Sequence, residues 1–148
     1  MSLSPYIKKR NLKKSGEPSP KIKKSSSKKL IYLIHEHHAS HLHWDLRLEM
    51  NGVLKSWAIP KVPSTEKEIK RLAIQVEDHP LEYAKFHGII PEGNYGAGEV
   101  KIWDKGNYEL LEKTPKKFMI DIHGKKIKGK YVLIKTSYGK NQWLFFKV

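Results

Sequence analysis

The segment His43–Met50, HWDLRLEM, alternates polar and apolar side chains without a break, and it meets Asn51-Gly52 before Val53–Ile59 resumes an extended pattern. Side chains of a strand point alternately to opposite faces, and Asn-Gly between two such runs is the strongest short-range hairpin signal. That hairpin sets the reading of the rest of the chain. Further strands are predicted over 29–36, 71–77, 99–104, 108–112, 117–122, 130–136 and 142–148. Turn clusters separate them at Asp104-Lys105-Gly106-Asn107, His123-Gly124-Lys125 and Tyr138-Gly139-Lys140-Asn141. Eight or nine short strands at this spacing suggest a barrel or a sandwich. Helix is scarce: Ser64–Lys70 is expected to form a turn or two capped by Ser64, and His79-Pro80-Leu81-Glu82 to cap a short helix through Lys85.

At 148 residues the chain fits one domain with a sizeable core. The absence of cysteine excludes disulfides and thiolate metal sites. Apolar runs such as Tyr131–Ile134 are far too short to span a bilayer, and the N-terminus has no apolar leader, so the expectation is a cytoplasmic protein with no membrane role. The net charge of +14 is concentrated at the front, where residues 1–29 hold ten Lys/Arg against Glu17 alone. Residues 1–28 therefore read as a basic, mobile arm suited to a polyanion, since each lysine near a phosphate releases counterions. Residues 29–148 read as the single folded domain.

Four of the eight histidines fall within His37–His43. On a strand, Trp44, Leu46, Leu48 and Met50 face one way, and His43, Asp45, Arg47 and Glu49 the other, joined by His41 if the strand starts earlier. A row of imidazole, carboxylate, guanidinium and carboxylate is costly to desolvate unless its members pair or hold a ligand. Two imidazoles and a carboxylate suit Mn²⁺, Fe²⁺ or Zn²⁺; the plainer possibility is a solvated face with an ordinary Arg–Glu pair. Spacing nominates His41 with His43 and Asp45 as ligands. Arg71–His79 repeats the arrangement, with Leu72, Ile74 and Val76 expected on one face and Arg71, Ala73, Gln75, Glu77 and His79 on the other, and Tyr83 one turn beyond His79. A metal, cations and proton donors in one cleft are the equipment for chemistry on a phosphate ester.

The stretches HASHLHWDLRLEMNGVLKSWAIPK and RLAIQVEDHPLEYAKFHGIIPEGNYGAG resemble the 3′-phosphoesterase module of bacterial DNA ligase D and of free-standing archaeal and bacterial proteins. The likeness is dense over Ile31–Asp104 and weaker over the N-terminal YIKKRNLKKSGEP and the C-terminal strands. GNYGAG by itself says little, because no Lys-Ser/Thr follows to make a P-loop. The resemblance implies a mainly β fold: a small closed or partly open barrel of about eight strands with one or two short flanking helices. It implies a manganese-dependent enzyme, other divalent metals being possible. That enzyme would remove a 3′-terminal ribonucleoside and then the 3′ phosphate from DNA or RNA ends, leaving a ligatable hydroxyl.

By position the family's metal ligands fall on His37, His43 and Asp45, leaving His41 in reserve. Its phosphate-binding and catalytic groups fall on Arg47, Lys61, Arg71, Glu77, His79 and Tyr83, with Glu49 supporting. Arg10 aligns with a phosphate-holding arginine, although the aspartate usual after it is Asn11 here. In this scheme Arg47, Arg71 and Lys61 clamp phosphate oxygens, and His79, oriented by Tyr83 and Glu77, gives a proton to the leaving oxygen. The implied partners are DNA or RNA 3′ ends, a separate ligase and an end-binding protein, and nothing demands more than a monomer.

Two other classes fit parts of the pattern. A non-enzymatic nucleic-acid-binding barrel would use Trp57, Trp103, Tyr95 and Trp143 as stacking platforms. A non-haem iron oxygenase would join His43 and Asp45 to a distant histidine: His79, His87 or His123.

Overall fold

Asn51 and Gly52 both adopt positive φ, 52° and 82°, the backbone twist that a two-residue hairpin needs. Around that turn β2 (Leu42–Met50) pairs antiparallel with β3 (Val53–Ile59), with Met50 opposite Val53. The computed structural model describes residues 29–148. The basic segment 1–28, Arg10 included, lies outside the described residues. The other strands are β1 (Leu30–His38), β4 (Arg71–Pro80), β5 (Gly88–Ile90), β6 (Gly98–Thr114), β7 (Lys117–His123), β8 (Lys128–Lys135) and β9 (Gln142–Lys147). Their order is β1-β2-β3-β4-β9-β8-β7-β6, and β1 pairs with β6 to shut an eight-stranded antiparallel ring; β5 adds to the start of β6. The closed barrel expected from the resemblance is the fold observed.

Inward-facing side chains fill the ring, among them Tyr32, Ile34, Leu46, Leu48, Trp57 and Leu133. Phe118 stacks on Trp143 at 5.4 Å, and Trp57 meets both edge-on. The indole N–H groups of Trp57 and Trp143 have no partner among the described residues. An unmade hydrogen bond costs about 1–3 kcal/mol, less than the roughly 3–5 kcal/mol lost when a packed tryptophan is truncated, so shape decides these positions.

Four local expectations are corrected. Asp104-Lys105-Gly106-Asn107 does not reverse the chain; it lies inside β6. The buried Asp104 carboxylate accepts the backbone N–H groups of Lys125, Lys126 and Ile127 and the Tyr32 hydroxyl, while Gly106 lies so close to His123 that a Cβ would sit 2.0 Å from its carbonyl oxygen. The register against β1 shifts here, with Ile34 opposite Asp104 and His35 opposite Ile102, so these residues make a bulged bend.

Residues 64–70 form no helix. Ser64 Oγ does accept the Glu66 N–H at 3.0 Å, but Glu68 takes a φ of 67° and gives its N–H to the Lys147 carbonyl. The capped helix after His79 is a 3₁₀ helix, Leu81–Lys85, with Pro80 at its N-cap and no side-chain cap; the His79 ring is buried elsewhere.

The faces of β4 are the reverse of those expected at its start. Ala73 packs in the core, in one cluster with Trp57 and with its cross-strand partner Trp143, and Leu72 and Ile74 lie outside. Among the described residues no helix is long and apolar enough to cross a membrane.

Candidate active site

β1 extends two residues beyond the predicted end, and this places His37 directly opposite His43 on β2. With Asp45 they form a group whose ligand atoms all lie within 4.8 Å of one another. Backbone carbonyls set the ring tautomers. His37 Nε2 donates to Gly96 O at 2.6 Å, and His43 Nδ1 donates to His41 O at 3.0 Å. The remaining nitrogens point at one carboxylate: His37 Nδ1 is 3.5 Å from Asp45 Oδ2, and His43 Nε2 is 3.2 Å from Asp45 Oδ1.

Two lone pairs converging on a buried carboxylate repel unless a cation or protons lie among them. A divalent ion meets that demand, and the carbonyl-held outer N–H groups are the usual supports of metal-bound histidines. Burial pushes the Asp45 carboxyl up, but the Arg47 charge and then the two facing imidazoles outweigh it and hold it well below the usual carboxylate range. Burial opposes protonation of His43, yet Asp45 and the His41 carbonyl together raise its pKa. The donor set therefore fits a metal ion of the nitrogen- and oxygen-binding kind.

Arg47, two residues on from Asp45, is buried and multiply bonded. Its Nε donates to His35 Nδ1 at 2.9 Å, Nη1 to Ser56 Oγ at 2.8 Å, and Nη2 to Asp45 Oδ2 at 3.3 Å. Nη1 also lies 3.1 Å from His79 Nδ1, and the guanidinium carbon sits 4.8 Å above the Tyr83 ring. The Tyr83 ring meets that of His79 edge-on at 4.7 Å. A register shift in β3–β4, with Leu54 opposite His79 and Ser56 opposite Val76, turns Val76, Glu77 and His79 all toward one pocket. That pocket, of about 310 Å³, is lined by His37, His43, Asp45, Arg47, His79 and Tyr83 among others. A metal donor set and a fixed guanidinium therefore share one concavity, an arrangement able to hold an anion between two positive centres.

The other residues singled out in the sequence are placed as follows. Glu77 lines the pocket, and its backbone carbonyl lies 3.0 Å from His79 Nδ1. Glu49 is buried and accepts the Ile31 N–H at 2.9 Å, tying down the start of β1. Arg71 donates from Nε to the Val62 carbonyl at 2.9 Å, and neither it nor the exposed Lys61 lines the pocket. His41 is exposed and serves through its carbonyl. Among the described residues the metal-competent group is His37, His43 and Asp45, so His79, His87 and His123 do not join it. Of the proposed stacking aromatics, Trp57 and Trp143 are core, Trp103 lies under Lys126 Nζ at 4.5 Å, and Tyr95 is at the pocket.

Sequence reasoning missed His35, Ser56 and Gly96. His35 is fully buried, bonded at both ring nitrogens, and held down to a pKa of about 3 by burial and then by the Arg47 charge. A polar residue in the apolar run KLIYLIHE, two before His37 and hence on the same face, was the available signal.

Fold and site define a closed antiparallel β-barrel carrying a two-histidine, one-carboxylate donor set beside a buried arginine. The family model of the DNA Ligase D 3′-phosphoesterase domain matches residues 35–135, and the chain belongs to that family. It is 47% identical over 155 residues to the multifunctional non-homologous end joining protein LigD of Pseudomonas aeruginosa, covering 98% of this chain and 18% of that protein. It is 45% identical over 154 residues to the LigD protein of Mycolicibacterium smegmatis, covering 96% of this chain and 20% of the relative. The Mycobacterium bovis protein is 44% identical over 146 residues, at 96% and 19% coverage. The chain thus spans about a fifth of the length of these relatives.

Proposed function

We propose that this chain is a 3′-end-processing phosphoesterase of DNA end joining, which removes 3′-terminal ribonucleosides and 3′ phosphates from DNA or RNA ends to leave a hydroxyl. The observation that carries the reading is the convergence of His37 Nδ1, His43 Nε2 and the Asp45 carboxylate next to the buried Arg47 in one pocket. The family membership and the end-joining names of the relatives support the substrate class. His37, His43 and Asp45 would hold the metal, Mn²⁺ in this reading. When bound, it supplies Lewis-acid polarisation of a phosphoryl oxygen.

The chain's own groups do the rest. Arg47, rigid in its plane, hydrogen-bonds nonbridging oxygens and favours the more highly charged transition state. His79, its Nδ1 set 3.0 Å from the Glu77 carbonyl and 3.1 Å from Arg47 Nη1, gives a proton from its ring to the departing oxygen. Tyr83 packs against both and keeps the guanidinium and the imidazole side by side. Arg71 and Lys61 add positive charge outside the pocket, and Arg10 is assigned as a further phosphate contact on the family resemblance alone. A ligase that seals the product and an end-binding protein that presents the substrate are the partners this role requires.

The test is a labelled primer-template ending in one ribonucleotide, incubated with Mn²⁺ and with Mn²⁺ plus chelator. The expected products are first the 3′-phosphate end and then the 3′-hydroxyl end, only without chelator. Unchanged ends at saturating Mn²⁺ would overturn the proposal.

A further inference from the structure

The barrel wall beneath Arg47 contains a buried imidazole with no place in the scheme above. His35 is 0% exposed on β1, its ring set between Arg47 and Tyr83. Burying an imidazole there is costly unless both nitrogens are bonded. They are: Nε2 lies 2.8 Å from the Phe86 carbonyl, and Nδ1 is 2.9 Å from Arg47 Nε.

The partners leave no ambiguity of tautomer. Arginine Nε is always a donor, so Nδ1 of His35 must present a lone pair, and Nε2 carries the hydrogen that the Phe86 carbonyl accepts. Phe86 directly follows the 3₁₀ helix that holds Tyr83. The His35 ring meets Tyr83 edge-on at 5.5 Å and 87°, while Tyr83 lies beneath the Arg47 guanidinium. One neutral ring thus touches the arginine through its Nε and the tyrosine-bearing segment through a carbonyl and an edge contact.

Resting on the phosphoesterase reading, we infer that His35 is the positioning residue for Arg47: it accepts the Nε–H, fixes the plane of the guanidinium, and so aims the Nη edge at a bound phosphate. The Nε of a guanidinium is the donor nearest the flexible stem. Tethering it removes the last rotation that the Ser56 and Asp45 bonds to Nη1 and Nη2 would tolerate. Leucine would fill the volume as well, but it would leave the buried Arg47 Nε–H and the Phe86 carbonyl without their partners, a cost paid in geometry at the substrate. Glutamine offers the same acceptor–donor pair as the imidazole.

The experiment compares His35→Gln, His35→Leu and His35→Met, each alone and with Arg47→Lys, which has no Nε–H to tether. Turnover of a 3′-phosphate oligonucleotide with Mn²⁺ is measured together with Mn²⁺ affinity by electron paramagnetic resonance. The expected results are kcat/KM at least tenfold down in the leucine and methionine variants, chiefly in kcat, and within about threefold of wild type in the glutamine variant. Mn²⁺ affinity should be unchanged, and the Leu and Met effects should largely vanish in the Arg47→Lys background. Wild-type turnover in His35→Leu or His35→Met, equal losses in all three variants, or additive losses with Arg47→Lys would each overturn the inference. If the wild-type chain processes no ends, the phosphoesterase reading fails instead. The same cycle read by binding of the 3′-phosphate oligonucleotide then decides His35 alone: additive losses overturn its role, and non-additive losses sustain it.

Discussion

His37 and His43 are direct cross-strand partners on β1 and β2, their ring centroids 4.8 Å apart. Six residues of sequence separate them, yet the β1–β2 pairing brings the rings together over Asp45, whereas His41, only two residues from His43, is exposed. His37→Ala and His43→Ala should therefore each lower Mn²⁺ affinity by at least tenfold and end-processing activity by more, while His41→Ala should change both less than threefold. Thermal unfolding with added Mn²⁺ checks this directly. At a hundredfold excess over the wild-type Kd a native-state ligand adds about 2.7 kcal/mol, so wild type and His41→Ala should shift by close to that amount, whereas a tenfold or greater loss of affinity leaves the other two with about 1.4 kcal/mol or less.

The Gly96 carbonyl that holds His37 sits in a loop anchored at Gly98, where an added Cβ would lie 2.0 Å from the His38 carbonyl oxygen and φ is 136°. Gly98→Ala should cost about 3 kcal/mol or more in urea unfolding and weaken Mn²⁺ binding through the displaced carbonyl. Gly93 offers the control: φ is 85° but nothing lies within 4 Å, so Gly93→Ala should cost only about 1–2 kcal/mol of backbone strain and leave metal affinity intact.

Asp104 gathers three backbone N–H groups and the Tyr32 hydroxyl at the bend of β6. Asp104→Ala strands those donors in a buried place, and a loss of about 3–5 kcal/mol is expected by urea denaturation. Activity per folded molecule should change little, since Asp104 does not line the pocket.

Alkaline pH should unfold the protein through its buried phenols. Burial, then the Asp104 charge, pushes Tyr131 up to about 12, and Tyr32 and Tyr108 are also raised, burial again the largest cause. Because each folded-state value lies above the unfolded one, the unfolded chain ionises first. The stabilisation is complete below pH 10 and is lost as pH rises through the folded value. Each phenol contributes a slope of about 1.4 kcal/mol per pH unit in that window. Tyr131→Phe should flatten the pH 10–12 limb of stability by about that amount, measured by urea unfolding at each pH.

Local rules that act over two or three residues were legible in the sequence. Asn51-Gly52 fixes Met50 opposite Val53, and counting back along the hairpin puts Arg47 opposite Ser56, a pairing that the hairpin register implied but that went unread. The mainly β character followed from the same punctuation, which left barrel and sandwich equally open; the barrel came from the family resemblance. What failed were positions where residue type is shared by two devices. Asp-Lys-Gly-Asn chemistry serves a chain reversal and a bulged bend equally, and only the distant N–H groups of residues 125–127 decide between them. The apolar Leu72 and Ile74 were expected inside, but it is the small Ala73 that shares the core with the bulky Trp57 and Trp143. His35 escaped notice because its partners, Arg47 and Phe86, come from other strands and loops, and no spacing within one segment announces such a meeting.

The ring formed by β1 and β6 has a consequence beyond stability. Both strands that carry the donor histidines are flanked on each side by other strands, so the backbone beneath the chemistry has no loose border that another polypeptide must seal. A seamless cylinder of this kind is portable: it brings its own floor and walls wherever it is spliced, which suits a unit whose counterpart occupies about a fifth of a much longer end-joining protein.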